Sequence, residues 1–168
     1  MAALPDWFDL WVRRARELPG DGVRQLELLL GAVFTLPEVF LWNVGTVEAP
    51  VPAIGEDESG IRLLLLFTHE HKLIELVEEH SSGAGVPAIA MPPVQVGGFL
   101  QDLSAESGEI AGVLVNPGDF AFQVERRAWE DFSQAWTRRD PAERQAAQGF
   151  WIPKMTGEEE DFWQEHGL

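Results

Sequence analysis

Apolar and polar positions along this chain change period several times, and each change marks a predicted element. Leu4, Trp7, Phe8, Trp11, Ala15 and Leu18 recur at helical spacing. Pro5 suits a first turn and Pro19-Gly20 a stop, so residues 5–18 are predicted as an amphipathic helix. Asp21 has the chemistry of a cap for a second helix with Leu26, Leu29, Leu30 and Val33 on one face, ended by Leu36-Pro37. A strand is expected at 39–44. In the 46–54 stretch Pro50 and Pro52 leave only an edge or extended segment, because proline donates no ladder hydrogen bond. Glu56-Asp57-Glu58-Ser59-Gly60 is a polar turn between apolar runs and reads as a hairpin connection.

Ile61–Phe67 carries four consecutive leucines. A continuously apolar strand is one covered on both faces, so this segment is expected at the centre of a sheet. Thr68 is then placed to cap a helix whose first turn holds Glu70. In that helix Leu73, Ile74 and Val77 are expected to be buried, with Leu76 on the flank and Lys72, Glu75, Glu78 and Glu79 outward. A short strand is predicted at 86–91 and a helix at 97–107 carrying Phe99, Leu100 and Leu103, with Gly108 beyond its end. Gly112–Val115 reads as a strand, Asn116-Pro117-Gly118-Asp119 as a turn, and 120–124 as a half-buried hairpin partner. Ala128, Trp129, Phe132, Ala135 and Trp136 form a helical stripe. Asp140-Pro141-Ala142-Glu143 has the cap, N1 proline and N3 acid of a further helix start. The order predicts an α+β domain: a single mixed, largely antiparallel sheet flanked by helices, with additional N- and C-terminal helices. The whole of 1–168 is read as one domain, with an aromatic C-terminal extension from 129.

Two segments carry a family resemblance. Phe67-Thr68 closes an apolar strand and opens a helix, and Asn116-Pro117-Gly118 closes a glycine-flanked strand some fifty residues later. With the helices between them, roughly residues 22–125 resemble the core of the SseB ("enhanced serine sensitivity") family of bacterial proteins. The resemblance implies this fold and a role without established enzymatic activity, and it transfers no catalytic residue. The aromatic N-terminal helix and the stretch from 129 to 168 depart from the pattern.

Composition narrows the function classes. The net charge is −16, from 28 acidic and 12 basic residues. Residues 1–84 hold 14 acids and 6 bases, as do residues 85–168, so each half carries −8 and the acidity is spread along the chain. That field repels nucleic-acid phosphates and anionic lipid and suits a basic protein partner. The absence of cysteine excludes disulfides, thiolate metal sites and cysteine nucleophiles. No apolar run reaches the length of a membrane span and no secretory leader is visible, so a cytoplasmic location is expected.

Candidate chemistry is sparse. His69 and His71 are weak metal candidates: a structural or catalytic zinc needs three or four convergent ligands, and two histidines flanking one residue at a strand–helix junction are expected to diverge. No glycine-flanked serine accompanies a histidine, and the phosphate-loop spacing is missing. The acidic runs read as solvated turns and faces, and the arginine doublets at 13–14, 126–127 and 138–139 as local ion pairs. The expected role is therefore non-enzymatic, through protein contacts, in the manner of an acidic inhibitor or immunity-type protein. The candidate surface comprises Phe67, Thr68, Asn116, Pro117 and Gly118 at the strand ends, with Trp151, Phe162 and Trp163 in the tail. No cofactor is implied. The alternative is a metal or small-molecule binder or hydrolase using His69, His71 and nearby acids, and a homodimer through the aromatic terminal helices is a third arrangement.

Overall fold

The computed structural model describes residues 7–17, 22–80, 87–118 and 120–144. The chain divides into two compact units, one of residues 1–35 with 138–168 and the other of residues 36–137.

In the first unit, α1 (Trp7–Glu17) and α2 (Gly22–Phe34) pack against each other. Of the predicted stripes, Phe8, Trp11 and Ala15 are buried on α1 and Leu29, Leu30 and Val33 on α2, while Leu26 is half-buried; Leu4, Leu18 and the cap Asp21 lie outside the described residues. The Trp11 indole N–H donates to the Leu28 carbonyl at 3.4 Å, which gives that large ring a polar partner within the helix pair. Near the end of the described chain, the Asp140 carboxylate accepts from the Ala142 N–H at 2.7 Å. The Glu143 carboxylate in turn accepts from the Asp140 N–H at 3.3 Å. This is the reciprocal capping box anticipated from the sequence.

The second unit is built on a mixed sheet, six-stranded among the described residues: β1 (Val39–Trp42), β2 (Ile54–Glu56), β3 (Arg62–Phe67), β4 (Ala88–Met91), β5 (Gly112–Val115) and β6 (Phe122–Glu125). Its order is β4-β1-β3-β5-β6, with β2 also paired to β3. Every pairing is antiparallel except β3 with β5, so the sheet is largely antiparallel, as predicted. The leucine run is the central strand. Leu64 and Leu66 align with Val113 and Val115 on one side, and Leu66 with Leu41 on the other.

The register explains why β3 is apolar from Leu63 to Phe67. Leu65 and Phe67, with Phe40 and Trp42 of β1, pack against Leu73, Leu76 and Val77 of α3 (Glu70–His80). The opposite face holds Val39, Leu41, Leu64, Leu66, Val113, Val115, Phe122 and Val124, all buried. Since β4 runs antiparallel to β1 and β1 antiparallel to β3, the crossovers β3-α3-β4 and β4-α4-β5 both join parallel strands, and they run in opposite directions across the sheet. Right-handed crossovers in opposite directions put α3 and α4 (Val96–Ser107) on opposite faces. Val96 and Leu100 of α4 are fully buried. α5 (Arg126–Thr137) follows β6 directly and packs on β5, β6 and α4.

Several local expectations are corrected. In α3, Ile74 is 36% exposed, because the buried stripe follows Leu73 and Val77 at i, i+4, while Leu76 is half-buried on its flank as expected. In α5 the exposed Ala135 is replaced on the buried face by Ser133. That hydroxyl is accommodated by donation to the Val94 carbonyl at 3.3 Å, one turn from Trp129, whose indole N–H donates to the Pro93 carbonyl at 3.3 Å. The 126–127 doublet is local as anticipated: Arg126 lies 3.8 Å from Glu130 and Arg127 3.9 Å from Asp131, each one turn along α5, and Arg13 lies 3.3 Å from Glu17 in α1.

Candidate functional site

Because β3 and β5 are adjacent and parallel, their C-terminal ends emerge at the same rim of the sheet. There the chain leaves in opposite directions: β3 feeds α3 toward the β4 edge, and β5 turns back into β6. Such a divergence is where open sheets containing parallel strands commonly place a ligand. The two motifs singled out in the sequence, Phe67-Thr68 and Asn116-Pro117-Gly118, meet at this point.

What occupies the divergence is Asn116 itself. Its side-chain Oδ1 accepts from the Thr68 backbone N–H at 2.9 Å, and its Nδ2–H donates to Thr68 Oγ1 at 2.9 Å. The Asn116 backbone N–H donates to the Leu66 carbonyl at 2.7 Å, which prolongs the parallel ladder by one bond. Thr68 Oγ1 also lies 2.9 Å from His69 Nδ1, a hydrogen bond whose direction follows the imidazole tautomer. Asn116 has φ of +46°, the left-handed region that asparagine tolerates better than most residues. The backbone conformation turns the chain toward β6 and leaves the amide facing Thr68.

This clasp revises the role expected for Thr68. Its hydroxyl is spent on Asn116 and His69, and α3 begins two residues later at Glu70. Phe67, Thr68 and Asn116 are all buried, at 1%, 2% and 4% exposure, whereas Pro117 is half-buried and Gly118 exposed. Of the five strand-end candidates, only Pro117 and Gly118 reach solvent appreciably. Trp151, Phe162 and Trp163 lie outside the described residues.

The two histidines do not diverge as the sequence suggested. Their ring centroids are 5.4 Å apart with planes tilted by 36°. The first turn of α3 curls His71 back beside His69, which still sits on the approach to the helix. Among the described residues no group of three or more His, Asp or Glu side chains converges as a metal site.

Exposed acids are gathered on ordered elements instead. Glu70, Glu75, Glu78 and Glu79 are exposed on α3, and Glu56, Asp57 and Glu58 are exposed at the β2–β3 turn. The turn is well fixed. The Asp57 carboxylate accepts from the N–H groups of Ser59 and Ile61 at 2.8 and 2.9 Å, and Gly60 supplies the positive φ (+81°). No helix among the described residues is long and apolar enough to cross a membrane.

No protein-family model, curated protein or solved structure matches this chain.

Proposed function

We propose that this chain is a non-enzymatic, SseB-like protein-binding module that acts as an acidic inhibitor or immunity-type protein toward a basic protein partner in the cytoplasm. The observation that supports this reading best is the contrast between two polar sets in the same unit. The amide and hydroxyl at the sheet rim are buried and spent on each other, whereas the carboxylates of α3 and of the β2–β3 turn face solvent. A clasp of this kind stabilises a scaffold, and exposed carboxylates on rigid elements supply a directed field. Such a field accelerates encounter with an oppositely charged surface and rejects like-charged ones.

The test is retention of proteins from the native cell on immobilised full-length chain, eluted with rising salt. A basic protein released by moderate salt is expected. Retention that salt does not alter, or retained proteins that are acidic, contradicts the proposal.

The proximity of the His69 and His71 rings favours a second reading, a metal or small-molecule binder or hydrolase. Metal analysis of the purified protein separates the two. A stoichiometric metal lost in His69→Ala/His71→Ala selects the second, and a metal-free folded protein that binds a basic partner selects the first.

A further inference from the structure

β1 and β2 pair with successive stretches of β3, Phe40 and Leu41 with Phe67 and Leu66, then Ile54 to Glu56 with Leu64 to Arg62. The residues between, 43–52, leave the sheet as a small closed loop. Asn43 and Pro52 form a bridge at its base, and the Val44 N–H donates to the Val51 carbonyl at 2.8 Å. The loop is organised by the buried side chain of Asn43, 5% exposed. Its Oδ1 accepts from the N–H groups of Gly45 and Val51, each at 2.9 Å, and its Nδ2–H donates to the Thr46 carbonyl at 3.1 Å. The Thr46 N–H donates to the Ala49 carbonyl at 3.1 Å, and the Ala49 N–H returns to Thr46 Oγ1 at 3.0 Å. The crossing is tight enough that a Cβ on Gly45 would overlap the Ala49 carbonyl oxygen and lie 2.8 Å from the Val51 nitrogen.

A loop fixed this firmly holds apolar side chains in water. Val44, Val47 and Val51 are 54%, 84% and 48% exposed, three of the six large apolar side chains that are exposed among the described residues. Val44 and Val51 stand opposite each other beyond the Asn43–Pro52 bridge, so they share a face. Single exposed valines need no explanation. Val44, Val47 and Val51 are instead carried on one preorganised loop, whose ordering cost is met before binding. The charge around it selects the partner. Glu48 is the one charged residue of the loop, and the flanking stretches from Leu36 to Ile61 add Glu38, Glu56, Asp57 and Glu58 with no base before Arg62, which stands opposite Glu56. Two copies of this chain, at −16 each, repel, and so do nucleic acid and anionic lipid.

We infer that the 43–52 loop is the apolar anchor of the proposed interface, seating Val44, Val47 and Val51 in a hydrophobic recess of a basic protein. This inference rests on the function proposed above and adds its point of contact. The test places a photo-crosslinking amino acid at position 47, and separately at position 75 on α3, in the full chain expressed in its native cell. The expected result is a crosslink from position 47 to a protein of net positive charge, lost in Val44→Ser/Val51→Ser. With that protein purified, Val44→Ser/Val47→Ser/Val51→Ser should weaken binding about tenfold or more, as for an anchor at the centre of an interface, with an unchanged circular dichroism spectrum. A basic protein crosslinked from position 75 and never from 47 overturns the anchor and leaves the proposed function standing. Crosslinks to a second copy or to an acidic protein, or none from either position, overturn both.

Discussion

Replacing Asn116 by alanine tests whether the rim is held by the clasp described above. The substitution removes the acceptor of the Thr68 N–H and the donor to Thr68 Oγ1, both at 2.9 Å, in a place where Thr68 is 2% exposed. A buried donor left without a partner costs about 1–3 kcal/mol. Thr68 Oγ1 keeps His69 as a neighbour, so its loss is the smaller part. The backbone at φ +46° adds roughly 1 kcal/mol once the residue is alanine. Together these predict a destabilisation of about 3 kcal/mol. Asn116→Gly loses the same hydrogen bonds but relieves the backbone term, so it should be milder than Asn116→Ala by about 1 kcal/mol. Urea unfolding of the three proteins gives these differences, and amide hydrogen exchange reports on the Thr68 N–H itself, which should lose protection in both variants. A cost for Asn116→Ala below about 0.5 kcal/mol, or an unchanged Thr68 exchange rate, refutes the reasoning, because a buried clasp cannot be removed at the cost of a surface substitution.

Gly112→Ala should destabilise by about 1–3 kcal/mol or prevent folding, since its Cβ would overlap the Val124 carbonyl oxygen across the β5–β6 pair; expression yield and urea midpoint measure it. Leu73→Ala should cost about 2–5 kcal/mol, whereas Ile74→Ala, one residue along but 36% exposed, should cost well under that, and equal losses would contradict the buried stripe described for α3. Arg127→Ala should change stability by no more than about 0.5 kcal/mol, because both partners of its ion pair with Asp131 are largely exposed. Gly45→Ala should disturb the 43–52 loop without unfolding the sheet, visible as lost protection of the Val51 N–H in hydrogen exchange.

The central strand was legible because its apolar run has no polar interruption, and only a strand covered on both faces tolerates that. The β2–β3 and β5–β6 hairpins were legible for a different reason, since Asp57 with Gly60 and Asn116 with Gly118 are turn residues whose conformational preferences are local. The same local reading hid the second role of Asn116. Its turn chemistry accounts for the residue type completely, and nothing in the neighbouring residues encodes a partner forty-eight positions earlier. That partnership depends on β3 and β5 lying side by side, a tertiary fact. The 43–52 loop is hidden in the same way: Pro50 and Pro52 argue against a regular strand, but nothing beside Asn43 encodes its role, because its partners come from the loop it closes. Leu73, Ile74, Leu76 and Val77 offer two overlapping helical stripes, and packing against Phe67, which the sequence does not show, decides between them and leaves Ile74 outward. For His69 and His71, the spacing at a strand–helix junction predicts divergence, but His69 precedes α3 and is not held to helical spacing, and the two rings come to 5.4 Å.

The measurement that bears most directly on the account is the association and dissociation kinetics of the purified basic partner with the full chain as ionic strength is raised. An encounter steered by exposed carboxylates should lose one or more orders of magnitude in association rate, falling toward the roughly 10⁵–10⁶ M⁻¹s⁻¹ of unsteered pairs, while dissociation changes little. The valine substitutions should do the reverse, speeding dissociation and leaving the salt slope intact. An association rate indifferent to salt contradicts the claim that the acidic surface is the working surface of this protein.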